Sequence, residues 1–596
     1  MKRQQAVSLT AVILILLSSI PVFAREIHVA KSGDDAASGG ADSPYLTISR
    51  ASELAVPGDV VIVHEGVYRE SVVPARGGAS EDQRITYRAA SGEEAVVKGS
   101  EHIESWTHVE GDVWKVELPN EFFCDYNPYA LKVEGPWLNY GQWHCRGDVY
   151  LDGNAFFEKE TLDEVVATER SWIPDVDETT TTITANFGEA DPNAATVEIN
   201  VRENLFMPDV TGLNYITLDG LAFQHAAPNW APPTIPLQPG AVGVRMGKGW
   251  IIENCTITDS RCVGIILGHS PGANLADIDS FGSHIVRNNL IQRCGQAGIA
   301  GQSGATRCLI EHNLIEHTNY RKEFGGYETA AIKFHNSVDT VIRGNLIRYV
   351  SREIQGAFGI WIDFGNQGTR ISGNIIYGTD EAAIFLEMNH GPALVDNNIL
   401  IGGGHRSNSE NTVFAHNLFV DYAWSYNQDL GRRSRYFTPH TCEEAGRKTG
   451  VPANEKWYNN VFIGRGLDSV EEAEGYASSH NVFIHAKPSE FGEMNSILDE
   501  DSNVLWTLDL DNPLGCELTF SNNEEAFHAE RPWVDADLVG VFPVVEQTLE
   551  DAAGNSIRVD TDILGEVREG ASPTAGPFEN LRDGENIIVW ELESAG

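Results

Sequence analysis

Between residues 206 and 490 one short pattern recurs: an asparagine, then two or three apolar residues, then a second apolar run that ends in polar side chains. It appears as Asn289–Leu–Ile, Asn313–Leu–Ile, Asn345–Leu–Ile, Asn374–Ile–Ile, Asn398–Ile–Leu, Asn417–Leu–Phe, Asn460–Val–Phe and Asn481–Val–Phe, at intervals of 24, 32, 29, 24, 19, 43 and 21 residues. The short intervals equal one solenoid coil, and the longer ones a coil plus a loop. Asparagine tolerates left-handed turn geometry, and stacked asparagines can share hydrogen bonds. The denser Leu–x–x–Leu–x–Leu spacing of leucine-rich repeats is absent. The pattern predicts an all-β chain folded as a parallel β-helix.

Strand alternation sorts the second run of each coil into columns. Ile265, Ile299, Ile332, Ile360 and Ile384 point inward, as do Leu267, Gly301, Phe334, Ile362 and Leu386. The outward column between them holds Ile266, Ala300, Lys333, Trp361 and Phe385, and the next one Gly268, Gln302, His335, Asp363 and Glu387. One face is thus predicted to carry a polar ladder beside Trp361 and Phe385. Rings that cover a flat sugar face, next to acids that bind hydroxyls, suit a carbohydrate site.

The flanks read differently. Residues 25–104 hold short strands (Val60–Val63, Ile85–Tyr87) and a short helix at Ser49–Ala55, and resemble the N-terminal cap and first coils of secreted right-handed parallel β-helix proteins. From 105 to 205, Val113–Glu117, Val149–Asp152, Thr180–Ala185 and Thr196–Val201 alternate polar and apolar residues, as expected of a β-sandwich that interrupts the coils. Similar alternation in 491–596 is expected to complete that sandwich. Residues 1–24, with Lys2, Arg3, an apolar Ala11–Leu17 and Val22–Phe–Ala24, read as a secretory signal, with a retained membrane anchor as the alternative. A secreted or periplasmic protein, off the membrane after cleavage, is expected.

Net charge is −44, or −46 without the signal, because residues 1–24 carry Lys2 and Arg3 and no acid. Such a surface repels nucleic acids and anionic polysaccharides unless a local basic groove overrides it. The eight cysteines do not make a disulfide framework, although Cys262 and Cys294 occupy similar places in neighbouring coils. No cysteine or histidine cluster has zinc spacing.

Asp363 and Glu387 stand 24 residues apart, at the same position of successive coils. Adjacent strands lie about 4.8 Å apart. The two carboxylates are therefore expected within roughly 5–6 Å, close to the ~5–5.5 Å of retaining glycosidases. Two acids so near cannot both ionise cheaply, so one serves as nucleophile and the other as protonated acid. The ladder alone leaves the roles interchangeable, and it leaves Ca²⁺ binding as a competing use of the pair. Otherwise neither a metal nor a cofactor is expected.

The motifs Trp361–Ile–Asp–x–x–x–Gln367–Gly–Thr–Arg370 and Glu387–x–x–His390–Gly–Pro392 resemble glycoside hydrolase family 120, the β-xylosidases. So do Ala231–Pro–Pro–Thr234 after Trp230, Lys248–Glu253 and the opening stretch His28–Gly99. The resemblance implies a β-helix with an intertwined β-sandwich and retaining release of xylose from the non-reducing end of xylo-oligosaccharides. It also implies Asp363 as nucleophile and Glu387 as acid/base. The family's assisting His–Glu pair falls on Tyr327–Glu328, with tyrosine in place of histidine. Arabinose and other neutral glycones stay open, as does assembly into a homo-oligomer.

Accessory roles are expected of five more residues. Trp361 would contact sugar, and Trp230 could stack on it or pack between domains. His335 would bind a hydroxyl, His390 would orient Glu387 or stabilise its loop, and Arg370 would lower a carboxylate pKa or pair with a neighbouring coil. Two rival readings remain. One is a β-helix polysaccharide lyase whose base and neutraliser come from Lys333, His335, Arg352 and Arg370. The other is a carbohydrate-binding β-helix without turnover.

Overall fold

The computed structural model describes residues 24–268, 277–500, 506–509, 515–520, 524–570, 572–580 and 586–592. The signal expected in residues 1–24 lies, but for Ala24, outside them. Three long parallel sheets of 14, 13 and 8 strands wrap one solenoid. The first coil opens with Glu26–Val29 paired in parallel to Val60–Val63. Helix Ile48–Leu54, started by the Thr47 side chain accepting from the Arg50 N–H, buries Ile48 and Ala51 over that end.

The asparagine repeat builds the coil corners. Each ladder side chain donates through Nδ2 to the Oδ1 of the next, from Asn289 through Asn313, Asn345, Asn374, Asn398, Asn417 and Asn460 to Asn481, at 2.9–3.1 Å. The left-handed backbone falls one residue earlier than expected, on Asn288, His312, Gly344, Gly373, Asn397, His416, Asn459 and His480. That position turns the chain, while the asparagine after it supplies backbone-satisfying bonds inside the corner. Of the two apolar residues that follow, the second enters the core (Ile315, Ile347, Ile376, Leu400). The first points outward (Leu314, Leu346, Ile375, Ile399) and needs a separate cover.

Part of that cover comes from the C-terminus. Strands Trp506–Asp509, Gly515–Phe520 and Asn586–Glu591 form their own antiparallel sheet. Trp590 packs on the outward apolar column, and its indole N–H donates to the Gly344 carbonyl at 2.6 Å. The expectation that 491–596 completes the sandwich is therefore corrected. The exposed half of the Asn–apolar–apolar repeat takes up this segment instead.

The sandwich is built from one stretch of chain. A four-stranded sheet includes Ser100–His102, Val149–Leu151 and Val197–Asn200, and a five-stranded sheet includes Val113–Pro119, Ser171–Val176 and Thr180–Asn186. Trp106, Phe156, Trp172, Ile183 and Ile199 pack between them. This unit is pinned to the solenoid by buried charges. Arg261 pairs with Glu158 at 2.9 Å and Glu323 at 2.6 Å, and Arg321 pairs with Asp148 at 2.6 Å. Strand Leu138–Tyr140 also pairs antiparallel to Gly325–Gly326, directly before Tyr327–Glu328. Trp230 belongs to this junction: it is 0% exposed among Val133, Leu138, Cys262 and Phe324, and donates to the Pro136 carbonyl at 3.1 Å. The sugar-stacking role is corrected to interface packing. Cys262 and Cys294 are buried free thiols, not a bridge.

Candidate active site

The third sheet carries the site. Its strands Ala297–Gln302, Ala330–His335, Phe358–Asp363 and Ala382–Glu387 pair in parallel with no slip, so that Gln302, His335, Asp363 and Glu387 are successive partners. Ile299, Ile332, Ile360 and Ile384 form the matching inward column. The alternation of apolar and polar residues sets this register, because a one-residue slip would turn every acid into the core. The polar column runs on: Leu386 pairs with Ser407 and Ser407 with Tyr426, which aligns Asn408 and Asn427 behind Glu387.

The polar column from Gln302 through Glu387 to Asn427 lines a cavity of about 640 Å³, together with Glu328, Trp361, Phe385 and Tyr327. Trp137 enters from the sandwich, and Arg432 and Arg435 from the hairpin of strands Asp429–Phe437 and Glu444–Gly450.

The two acids are driven in opposite directions. Burial alone would raise Asp363, but the Lys333 ammonium at 3.0 Å and His335 Nε2 at 2.7 Å, both on Oδ2, overcome it and hold the carboxyl below the usual range. Its Oδ1 is buried and accepts no hydrogen bond. One oxygen is thus anchored and the other left free beside the cavity. Glu387 is pushed up to about 7 by burial and by the Asp363 charge, against the pull of Lys333 and Arg432. Arg432 forms an ion pair with Glu387 Oε1, and the Trp361 indole N–H donates to Oε2 at 3.2 Å. Near neutrality Asp363 is a carboxylate and Glu387 sits at its titration point. An ionised group and a proton donor on adjacent strands can perform displacement with acid assistance.

Glu328 is buried and its carboxyl is raised by burial, with Lys333 at 3.4 Å pulling the other way. Tyr327, 41% exposed, sits at the rim, and its carbonyl accepts from Lys333 Nζ at 2.9 Å. Glu328, His335 and Asp363 bring donor atoms within 4.8 Å of one another, as a metal site would. The Lys333 ammonium already lies within 3.4 Å of both carboxylates and fills the place of a cation.

Several expected roles change. Trp361 stacks on Phe385 at 5.0 Å, and Lys333 covers its ring 2.9 Å from the centroid, so it offers an indole N–H to Glu387 more than a face to sugar. His335 binds Asp363, so holding that carboxylate is its visible role. Arg370 lies around the corner on strand Thr369–Ser372 of the first sheet and pairs with Asp396 at 2.7 Å, so it does not tune the acids. His390 contacts Glu410 at 2.8 Å and Ser434 at 2.7 Å. It therefore fixes the hairpin that delivers Arg432 and does not touch Glu387. The residues cast as a lyase's base and neutraliser are engaged elsewhere: Lys333 and His335 on Asp363, Arg352 on Glu381 at 2.5 Å, and Arg370 on Asp396.

Lys333 and Arg432 are the two cations paired with Asp363 and Glu387, and neither is assigned to the acid pair by the repeat alone. Lys333 was visible as a lone cation in the outward column beside the acids. Arg432 has no repeat register, and its only signal is the run Arg432–Arg433–Ser–Arg435 in an acidic chain.

Comparison with known proteins agrees with this geometry. Residues 103–199 match the family model for the glycoside hydrolase 120 insertion domain, and residues 240–419 match that for a right-handed β-helix region. The structure of XylC in complex with xylose aligns at a TM-score of 0.87 and 33% identity, covering 95% of this chain and 100% of that one. A structure described as a glycoside hydrolase (14% identity, TM-score 0.45, covering 80% of this chain and 95% of that one) and pectate lyase Pel9A (13%, 0.40, 94% and 96%) are too distant to inform function. No curated protein matches the sequence. A right-handed parallel β-helix, this insert and full-length likeness to XylC at 33% identity place the chain in one family: it belongs to glycoside hydrolase family 120 and is a glycoside hydrolase.

Proposed function

We propose that the chain is a retaining exo-β-xylosidase that releases xylose from the non-reducing end of xylo-oligosaccharides, with Asp363 as nucleophile and Glu387 as acid/base. The carrying observation is the in-register pair Asp363–Glu387 whose carboxyls are driven apart, one down and the other up to about 7. Xylose as glycone is supported by the xylose complex of XylC.

In the first step Asp363 Oδ1 attacks the anomeric carbon. The bond to the leaving oxygen breaks, and the Glu387 proton goes to that oxygen. An α-linked glycosyl ester on Asp363 results. In the second step Glu387, now ionised, takes a proton from water as the water oxygen attacks the same carbon, and Asp363 leaves as carboxylate. Lys333 and His335 lower the cost of regenerating that carboxylate, and Glu328, which lines the same cavity, would hold a sugar hydroxyl. No step uses a metal or cofactor. Export to the periplasm or medium is part of the same reading, from the Lys2–Ala24 pattern.

The test is a panel of nitrophenyl glycosides, followed by proton NMR of the first-formed sugar. Hydrolysis of the β-xyloside with β-xylose appearing before mutarotation is the expected result. Inversion to α-xylose, or turnover confined to other glycones, would overturn the mechanism or the substrate respectively.

A further inference from the structure

Glu328 stands in the catalytic cavity with few close partners of its own. It is 5% exposed, and Lys333 Nζ lies 3.4 Å and His335 Nε2 3.9 Å from its Oε1. The same two groups hold Asp363 at 3.0 and 2.7 Å. The backbone before Glu328, residues 323–327, must therefore do more of the placing.

That backbone is pressed against the insert with no side chain between. Gly325 and Gly326 pair with Tyr140 and Leu138, and the Tyr327 N–H donates to the Trp137 carbonyl at 3.1 Å. A Cβ on Gly326 would lie 2.1 Å from that carbonyl oxygen, and one on Gly141 would lie 2.0 Å from the Glu323 carbonyl oxygen. Only glycine allows so close an approach at these two positions. On the other flank the Gly326 N–H donates to the Gln355 carbonyl at 3.2 Å.

One side chain ties the start of this segment to the insert. Arg261, 1% exposed, comes from the turn before strand Val263–Ile266 of the third sheet. Its Nη1 donates to Glu323 Oε2 at 2.6 Å, its Nη2 to Glu158 Oε2 at 2.9 Å and its Nε to the Cys145 carbonyl at 3.0 Å. The guanidinium also lies over the Phe324 ring, 5.1 Å from the centroid. Burying a guanidinium is costly, and a joint that had only to hold two units together could be packed from apolar side chains instead. A planar fork with three directed bonds adds a fixed geometry that apolar packing lacks. The carboxylate it fixes belongs to Glu323, five residues before Glu328.

We propose that Arg261 is a positioning residue for the hydrolysis: through Glu323 it fixes the segment 323–328 against the insert and so holds Glu328 in place at the sugar. This rests on the reading of Glu328 as a contact to a sugar hydroxyl.

The experiment is a double-mutant cycle on kcat/KM for nitrophenyl-β-xyloside in the full chain. Active sites are counted by titration with an activated 2-deoxy-2-fluoro-β-xyloside, so that a partly unfolded preparation does not distort the values. Glu323→Gln removes the charge that Arg261 holds at nearly unchanged volume, and Arg261→Lys keeps the charge but loses the fork. Each is expected to lose about five- to tenfold, and Glu328→Ala about ten- to a hundredfold, as for a hydrogen bond to a charged group. In the Glu328→Ala background the same two substitutions are expected to cost less than about twofold, because the group they position is gone. Gly326→Ala crowds the segment without touching the buried charges and is expected to show the same dependence on Glu328. Losses of equal size in both backgrounds, or no loss in the native one, would overturn the positioning role. Glu328→Ala with wild-type kinetics would instead overturn the sugar contact on which the proposal rests, and a wild type inactive on the xyloside would overturn the glycosidase reading itself.

Discussion

Replacing Lys333 by methionine removes the cation that holds Asp363 ionised while nearly keeping its volume. The ammonium lies 3.0 Å from Asp363 Oδ2. At an effective dielectric of about 20, unit charges at that distance interact by about 5.5 kcal/mol. That corresponds to about four pKa units at 1.36 kcal/mol per unit. His335 stays 2.7 Å from the same oxygen and retains part of the stabilisation. The expected net rise is therefore about one to three units, the range for a carboxylate that loses one neighbouring cation. The sign follows from burial: without Lys333, desolvation is opposed by His335 alone, and the carboxyl moves up.

The assay is the pH profile of kcat/KM for nitrophenyl-β-xyloside. Its acid limb reports protonation of the nucleophile in the free enzyme. In the wild type that limb is expected below the ordinary carboxylate range, where the Lys333 and His335 charges hold Asp363. In Lys333→Met it is expected to climb into or above that range. The limb's position does not depend on how much of the preparation is folded, so a destabilised variant still gives the answer. An acid limb that stays put would refute the electrostatic role of Lys333, and one that moves down would refute the sign.

Three further substitutions probe other parts of the account. Glu387→Gln is expected to abolish the basic limb near pH 7 and to cost about 10²–10⁴-fold with a poor leaving group, the range for acid–base catalysis, with a far smaller loss on dinitrophenyl xyloside. Arg432→Gln is expected to move the basic limb upward, because a positive neighbour lowers an acid's pKa and its removal raises it. The shift should stay below about one unit, since Arg432 is half exposed and screened; a downward shift would contradict the ion pair. Asn374→Leu breaks the ladder by removing the side-chain acceptor of the Asn345 backbone N–H and the donor to the Ile342 carbonyl inside the corner. It is expected to cost about 2–5 kcal/mol in denaturant unfolding, and a neutral result would show that the ladder is ornamental.

The solenoid could be read from two periodicities. Alternation along each run and the asparagine interval between runs together fixed which residues stack, and Gln302, His335, Asp363 and Glu387 pair as that reading requires. The same logic failed wherever the chain leaves the repeat. Arg370 and His390 lie past the turn that ends each catalytic strand, so the corner carries them away from the acids and leaves each its alternative role, a pair with the next coil for Arg370 and support of a loop for His390. Arg432 comes from a hairpin 45 residues beyond Glu387, with no periodicity to announce where it folds back. Trp230 shows a different limit: a tryptophan on a proline-rich loop looks the same in sequence whether it faces sugar or a domain junction. The outward apolar residue of each Asn–apolar–apolar unit was a usable signal that some segment must cover that face, and residues near Trp590 do so.

If Asp363 attacks the sugar, it carries the sugar as an ester between the two steps. Incubation with an activated 2-deoxy-2-fluoro-β-xyloside, followed by proteolysis and mass mapping, tests this most directly. One fluoroxylosyl group is expected on the peptide that contains Asp363, formed as activity is lost. A label on Glu387 or Glu328, or no covalent adduct on an enzyme that turns over β-xylosides, would contradict it.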